Sequence, residues 1–140
     1  MITDSPVVVT ELDAARIREL GARLPEGGRG LSGLRDLVDE VTAMAEIVPG
    51  RQVAPDVVTM NSTVSFRDEQ TGLVHRVTLS YPLEASIPDR RISVLSPVGR
   101  ALLGRSVGAT AEVGTPDGVA RAIRVIAIHY QPEAEGDFTR

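Results

Sequence analysis

A chain of 140 residues, 42% hydrophobic and 24% charged, is long enough for one compact domain with a small appendage and has the composition of a soluble globular protein. Its net charge of −4 argues against binding by neutralisation of a phosphate backbone, and two Phe, two Tyr and no Trp offer no platform on which bases could stack. With no Cys there is neither a disulfide framework nor a thiolate metal site. No apolar run reaches membrane-spanning length and Met1 to Ser5 lack the basic start of a signal peptide, so a cytoplasmic protein with a protein partner is expected.

Val7, Val8 and Val9 are a β-branched trio suited to a short strand or an extended arm. Thr10 then reads as an N-cap, with Glu11 and Asp13 in the first turn, where carboxylates favour the positive end of the helix dipole. Ala14, Ile17, Leu20 or Gly21, and Leu24 recur at three- and four-residue steps and give this helix one apolar stripe. Pro25 to Gly30, with three glycines and a proline, ends it in a turn. Beyond the turn, Leu31, Leu34, Val38, Val41, Ala45 and Val48, widened by Leu37 and Met44, step at coiled-coil spacing, while Arg35, Asp36, Asp39, Glu40 and Glu46 fall mostly on the other side. Two such helices bury their stripes against each other, which predicts an antiparallel helical hairpin. Its second arm, at 1.5 Å per residue, is a stub about 25 Å long. Pro49 and Gly50 close it, and residues 51–56 form a linker.

From Val57 the apolar period changes to two. Strands are expected over Ser62 to Arg67 and Leu73 to Tyr81, joined by a turn at Asp68 to Gly72, and residues 83–91 are an irregular connection. Ile92 to Leu95 is a strand that runs directly into a one- to two-turn helix. Ser96 is its N-cap, Pro97 takes the first helical position, and Gly104 stands where a left-handed residue ends a helix. So short a helix is not stable alone and must lie against a sheet. Ala109 to Gly114 and Val119 to Tyr130 supply two further strands around the tight turn Thr115-Pro116-Asp117-Gly118. The element order is α+β, divided into an arm and hairpin (1–50), a linker (51–56) and a sheet domain (57–140).

No catalytic constellation emerges. His75 and His129 sit in strands without metal-ligand spacing, Ser32, Ser93 and Ser96 have no histidine in a recognisable motif, and the glycines at 27–30 follow a helix and lack the lysine of a phosphate loop. No metal ligands and no cofactor are implied.

The run strand, Ser96-Pro97-x-Gly99-x-Ala101-Leu102-Leu103-Gly104, strand, Thr115-Pro116-x-Gly118, strand resembles the C-terminal domain of the bacterial transcript-cleavage factors GreA and GreB. Residues 56–66 and the tail Tyr130 to Phe138 are similar to a shorter branch of that family, the regulators of nucleoside diphosphate kinase. The resemblance runs from about Thr10 to the C-terminus. It implies an FKBP-like curved antiparallel sheet around the short helix, and RNA polymerase as partner, gripped at the rim of the secondary channel by the loop entering that helix. Leu95, Ser96 and Pro97 are the matching positions. Leu95 has two readings, an exposed anchor or an inward-packed side chain.

In the resembled factors acidic residues at the tip of a longer hairpin help to hold a catalytic Mg²⁺. This tip offers Glu26 alone, flanked by Arg23 and Arg29, and one carboxylate is a poor magnesium site, so cleavage activity is not carried over. The tail is expected to form a packed strap over a sheet edge, pinned by Phe138, with Glu133, Glu135 and Asp137 solvated. Three functional readings follow. The first is a non-enzymatic polymerase-binding regulator that competes with Gre-type factors, makes no sequence-specific contact with nucleic acid and lies on no membrane. The second is an FKBP-like peptide-binding or prolyl-isomerase module, and the third an adaptor linked, directly or through transcription, to nucleoside diphosphate kinase. A monomer is expected, and the exposed stripe leaves a coiled-coil dimer open.

Overall fold

The computed structural model describes residues 7–22, 38–39, 43, 45–113 and 121–138. Val8–Thr10 is β1, and Thr10 is at once its last residue and the cap of α1 (Glu11–Ala22), its hydroxyl accepting the Asp13 amide at 3.1 Å. Ala14 and Ile17 of the expected stripe are buried and Leu20 is half-buried. Asp13 also faces inward, which the dipole reading does not anticipate. Leu24, the turn at 25–30, and Leu31, Leu34, Leu37, Val41 and Met44 lie outside the described residues.

Val38, Asp39 and Ala43 are helical, and Val38 is so close to Gly21 that a Cβ on that glycine would come within 2.9 Å of it. The second helix does not continue to Val48 as the spacing predicts. Glu46–Val48 is a strand, β2, parallel to β1 with Val8 opposite Glu46 and Thr10 opposite Val48. β-Branched Ile47 and Val48 pair better with Val8 and Val9 than they would extend a helix, so Ala45 and Val48 leave the helical stripe.

The other strands are β3 (Thr63–Asp68), β4 (Val74–Ser80), β5 (Arg91–Ser93), β6 (Thr110–Val113) and β7 (Arg121–Tyr130), in spatial order β5-β4-β3-β7-β6. With α1 and α2 (Pro97–Leu102) they give a mixed α/β fold around a curled sheet. Neighbours are antiparallel except β5, which is parallel to β4, so the expectation of an antiparallel sheet is corrected at that edge. A parallel neighbour needs a returning connection rather than a tight hairpin, and residues 81–90 supply it. Register shifts between β3 and β7 at Thr63/Val64 and Ser65/Phe66 are irregularities of the kind that bend a sheet.

The period-two pattern places Val64 and Phe66 on the inner face. One core joins α1 to the sheet: Val9, Ala14 and Ile17 pack with Val58, Met60, Val64, Leu79, Val94, Leu102 and Val125. The tail is a strap as expected, but it crosses residues 50–59 rather than a sheet edge. Gln131, 2% exposed, donates Nε2 to the carbonyls of Ala54 (2.8 Å) and Val57 (2.7 Å), and the Phe138 ring lies 5.1 Å from the Arg51 guanidinium. Glu133 is bonded rather than solvated, its Oε1 accepting the Thr59 hydroxyl at 2.7 Å.

Candidate functional site

Residues 93–99 build a corner from local bonds. The Ser96 hydroxyl donates to the Ser93 carbonyl at 2.6 Å and accepts the Gly99 amide at 3.1 Å, while the Ser93 hydroxyl accepts the Leu95 amide at 3.0 Å. Ser96 is therefore the expected cap, with Pro97 at the first turn. Gly99 is required because a Cβ there would run into the Ser93 carbonyl. Gly104 ends the unit at φ +78, as expected of a left-handed residue. Leu95 is half-buried and packs on the core, so its bulk follows the inward reading, and Pro97 is the exposed member of the trio.

Between the inner face of the sheet and α2 lies an open groove of about 490 Å³. Its floor is apolar: Phe66, Val77, Ile92, Val98, Val113 and Ile123. Ser96, Pro97, Asp68, His75 and Arg121 complete the lining, so the corner and the sheet meet in one site. The polar members are engaged locally. Asp68 Oδ1 accepts the amides of Gln70 (2.9 Å) and Thr71 (3.4 Å), Arg121 Nε donates to Gln70 Oε1 at 3.1 Å, and the His75 ring lies against Phe66 with centroids 5.3 Å apart. What remains is an open apolar surface. Among the described lining residues Phe66 is the one phenyl ring.

His129 is a satisfied side chain, its Nε2 2.7 Å from Ser65 Oγ on the strand face turned away from Phe66. No group of three or more His, Asp or Glu among the described residues could hold a metal ion, and no described helix is long and apolar enough to cross a membrane. Arg23, Glu26 and Arg29 lie outside the described residues.

Sequence reasoning missed the groove floor, which five separate strands and α2 assemble. It also missed Leu83 (98% exposed) and Ile87 (92% exposed) on the connection into β5. Two aliphatics in a proline-flanked loop were the available signal for the latter. Asp13 was missed too, although it shares the helix face of Ile17 at an i, i+4 step.

The family model described as transcription elongation factor GreA/GreB, C-terminal, matches residues 52–130. The chain is 36% identical over 132 residues to the regulator of nucleoside diphosphate kinase of Escherichia coli K12, covering 94% of this chain and 95% of that one. It is 34% identical over 96 residues to transcription elongation factor GreA of Rickettsia bellii, covering 67% of this chain and 58% of that one. Among solved structures, a prokaryotic transcription elongation factor GreA/GreB from Nitrosomonas europaea is similar with a TM-score of 0.70 and 35% identity, over 91% of this chain and 100% of that one.

Proposed function

Because this chain belongs to the GreA/GreB family of transcription elongation factors, we propose that it is a non-enzymatic regulator that binds RNA polymerase at the mouth of the secondary channel. The groove between the sheet and α2 is the docking surface. The observation that carries this reading is the apolar floor of about 490 Å³ bordered by Ser96 and Pro97, the corner where the family resemblance expects the contact. Burying one Leu-sized side chain contributes about 1.5–3 kcal/mol, and micromolar binding needs about 8 kcal/mol, so a few anchors seated in the groove are of the right order. Leu95 supports the corner from beneath, and Leu83 and Ile87 offer further apolar surface on the loop leading into β5.

The segment at 51–56 then connects the part that grips to the part that reaches inward, whose base packs on the same core. A hairpin with one tip carboxylate, Glu26 between Arg23 and Arg29, occupies the channel entrance without supplying the oxygen cluster that magnesium requires. The chain thus competes with Gre-type factors for one surface and does not stimulate transcript cleavage. Val98→Glu places a charge in the groove, and binding of this variant to core polymerase tests the reading: a tenfold or greater loss of affinity is expected, with the fold intact by thermal melting. Unchanged affinity rules the groove out.

A second reading has its own support, the likeness to a regulator of nucleoside diphosphate kinase along nearly the full chain. Pure protein added to pure kinase separates the two, because only a direct adaptor changes the kinase rate in that mixture.

A further inference from the structure

The joint between α1 and the sheet is built on a buried carboxylate. Asp13 is 1% exposed, and its oxygens take neutral donors from two distant parts of the chain. Oδ2 accepts the Met60 amide at 3.1 Å and Oδ1 the Tyr81 hydroxyl at 3.2 Å. Burying an ionised group on uncharged donors is costly. A second carboxylate approaches from the tail, since Glu133 is bonded to Thr59, the neighbour of Met60. Thr59 is itself tied to Ser62 through its amide (3.0 Å) and its hydroxyl (2.9 Å), so the 59–62 turn is held between helix and tail. The titratable and charged groups around Asp13 are Tyr81 at the end of β4, Glu133 in the tail, and Arg16 on α1, whose guanidinium lies 5.9 Å from the centroid of the Tyr81 ring.

We propose that Asp13 is a proton-operated latch between the N-terminal helix and the sheet domain: protonated, it holds α1 on the 59–62 turn, and ionised, it lets α1 open more readily. Burial pushes the Asp13 carboxyl up from 3.8 to about 6; the Met60 bond opposes this, the Glu133 charge adds to it, and the bonds from Thr10 and Tyr81 oppose it. Burial and then the Asp13 charge hold the Tyr81 phenol above its ordinary value, so it stays a donor. In the opened helix Asp13 returns to the ordinary range. Opening therefore becomes easier as pH rises from about 4 to about 6, by up to about a hundredfold, and levels off above. The polymerase reading enters only through the consequence, the aim of the hairpin on a docked domain. The latch itself is read on the free protein, so failure of one does not imply failure of the other.

Hydrogen exchange of the Met60 amide and the α1 amides, corrected for intrinsic rates between pH 4.5 and 8, tests it in the full chain, Asp13→Asn and Glu133→Gln. The latch predicts that the opening constant rises at least tenfold, with its midpoint near 6, in the natural chain, stays flat in Asp13→Asn and shifts to a lower midpoint in Glu133→Gln. A flat profile in the natural chain, or an undiminished rise in Asp13→Asn, overturns it. Should Asp13→Asn fail to fold, the NMR titration of the Asp13 carboxyl carbon decides, and a midpoint near 4 is the contrary result.

Discussion

The corner at Ser93 to Gly99 and the joint at Asp13 are both closed by side chains bonded to backbone, but they reach over different spans. Every bond of the corner lies within a few residues of its partner, and its hydroxyls are neutral. The joint links Asp13 to Met60 and Tyr81, and Thr59 to Glu133, through two carboxylates. The corner is therefore a rigid local unit that shapes the groove whatever the pH. The joint depends on parts of the chain brought together only by folding, and on the proton of Asp13.

The sharpest way to break this contrast is Gly99→Val. Its Cβ meets backbone, the Ser93 carbonyl, rather than a movable side chain, so the corner has to spread. A loss of about 3 kcal/mol or more by urea denaturation is expected, together with loss of polymerase binding. A change under about 1 kcal/mol would mean that the corner yields and is not the rigid partner of the comparison.

Next in size is Gln131→Leu, which removes the single amide nitrogen serving the Ala54 and Val57 carbonyls. The Ala54 carbonyl keeps the Val57 amide, but the buried Val57 carbonyl is left without its side-chain donor, at a cost of about 1–3 kcal/mol, read as a lower urea midpoint with an unchanged slope.

Asp13→Asn acts in the opposite direction. Asp13's folded value is raised above 3.8, so its contribution to stability is whole below about pH 4 and is lost as pH rises through about 6. The Asn variant escapes that loss and should be more stable than the natural chain by about 1–2 kcal/mol at pH 7.5, with the difference shrinking toward pH 4. Chemical denaturation across that range checks it. Ser96→Ala is the smallest effect, about 1 kcal/mol, because the cap is lost while β5 and the core beneath remain.

The same contrast explains what was legible in the sequence. Thr10, Ser96, Pro97 and Gly104 announce helix ends because capping and left-handed geometry are decided within a turn of the chain. Val64 and Phe66 mark the inner face because alternation is local as well. Val48 misled, since its spacing fits a helical stripe while it and its branched neighbour Ile47 pair with a strand nearly forty residues earlier. The parallel placement of β5, the groove floor and the partners of Asp13 and Gln131 all depend on which strands become neighbours, and no local pattern carries that.

Binding of the purified protein to core RNA polymerase, with GreA as competitor and Val98→Glu in parallel, decides whether the groove grips the polymerase. Expected are binding that GreA displaces, at least tenfold weaker binding of the variant, and no transcript cleavage on a stalled complex. Absence of binding at micromolar polymerase, or equal affinity of the variant, would contradict that grip.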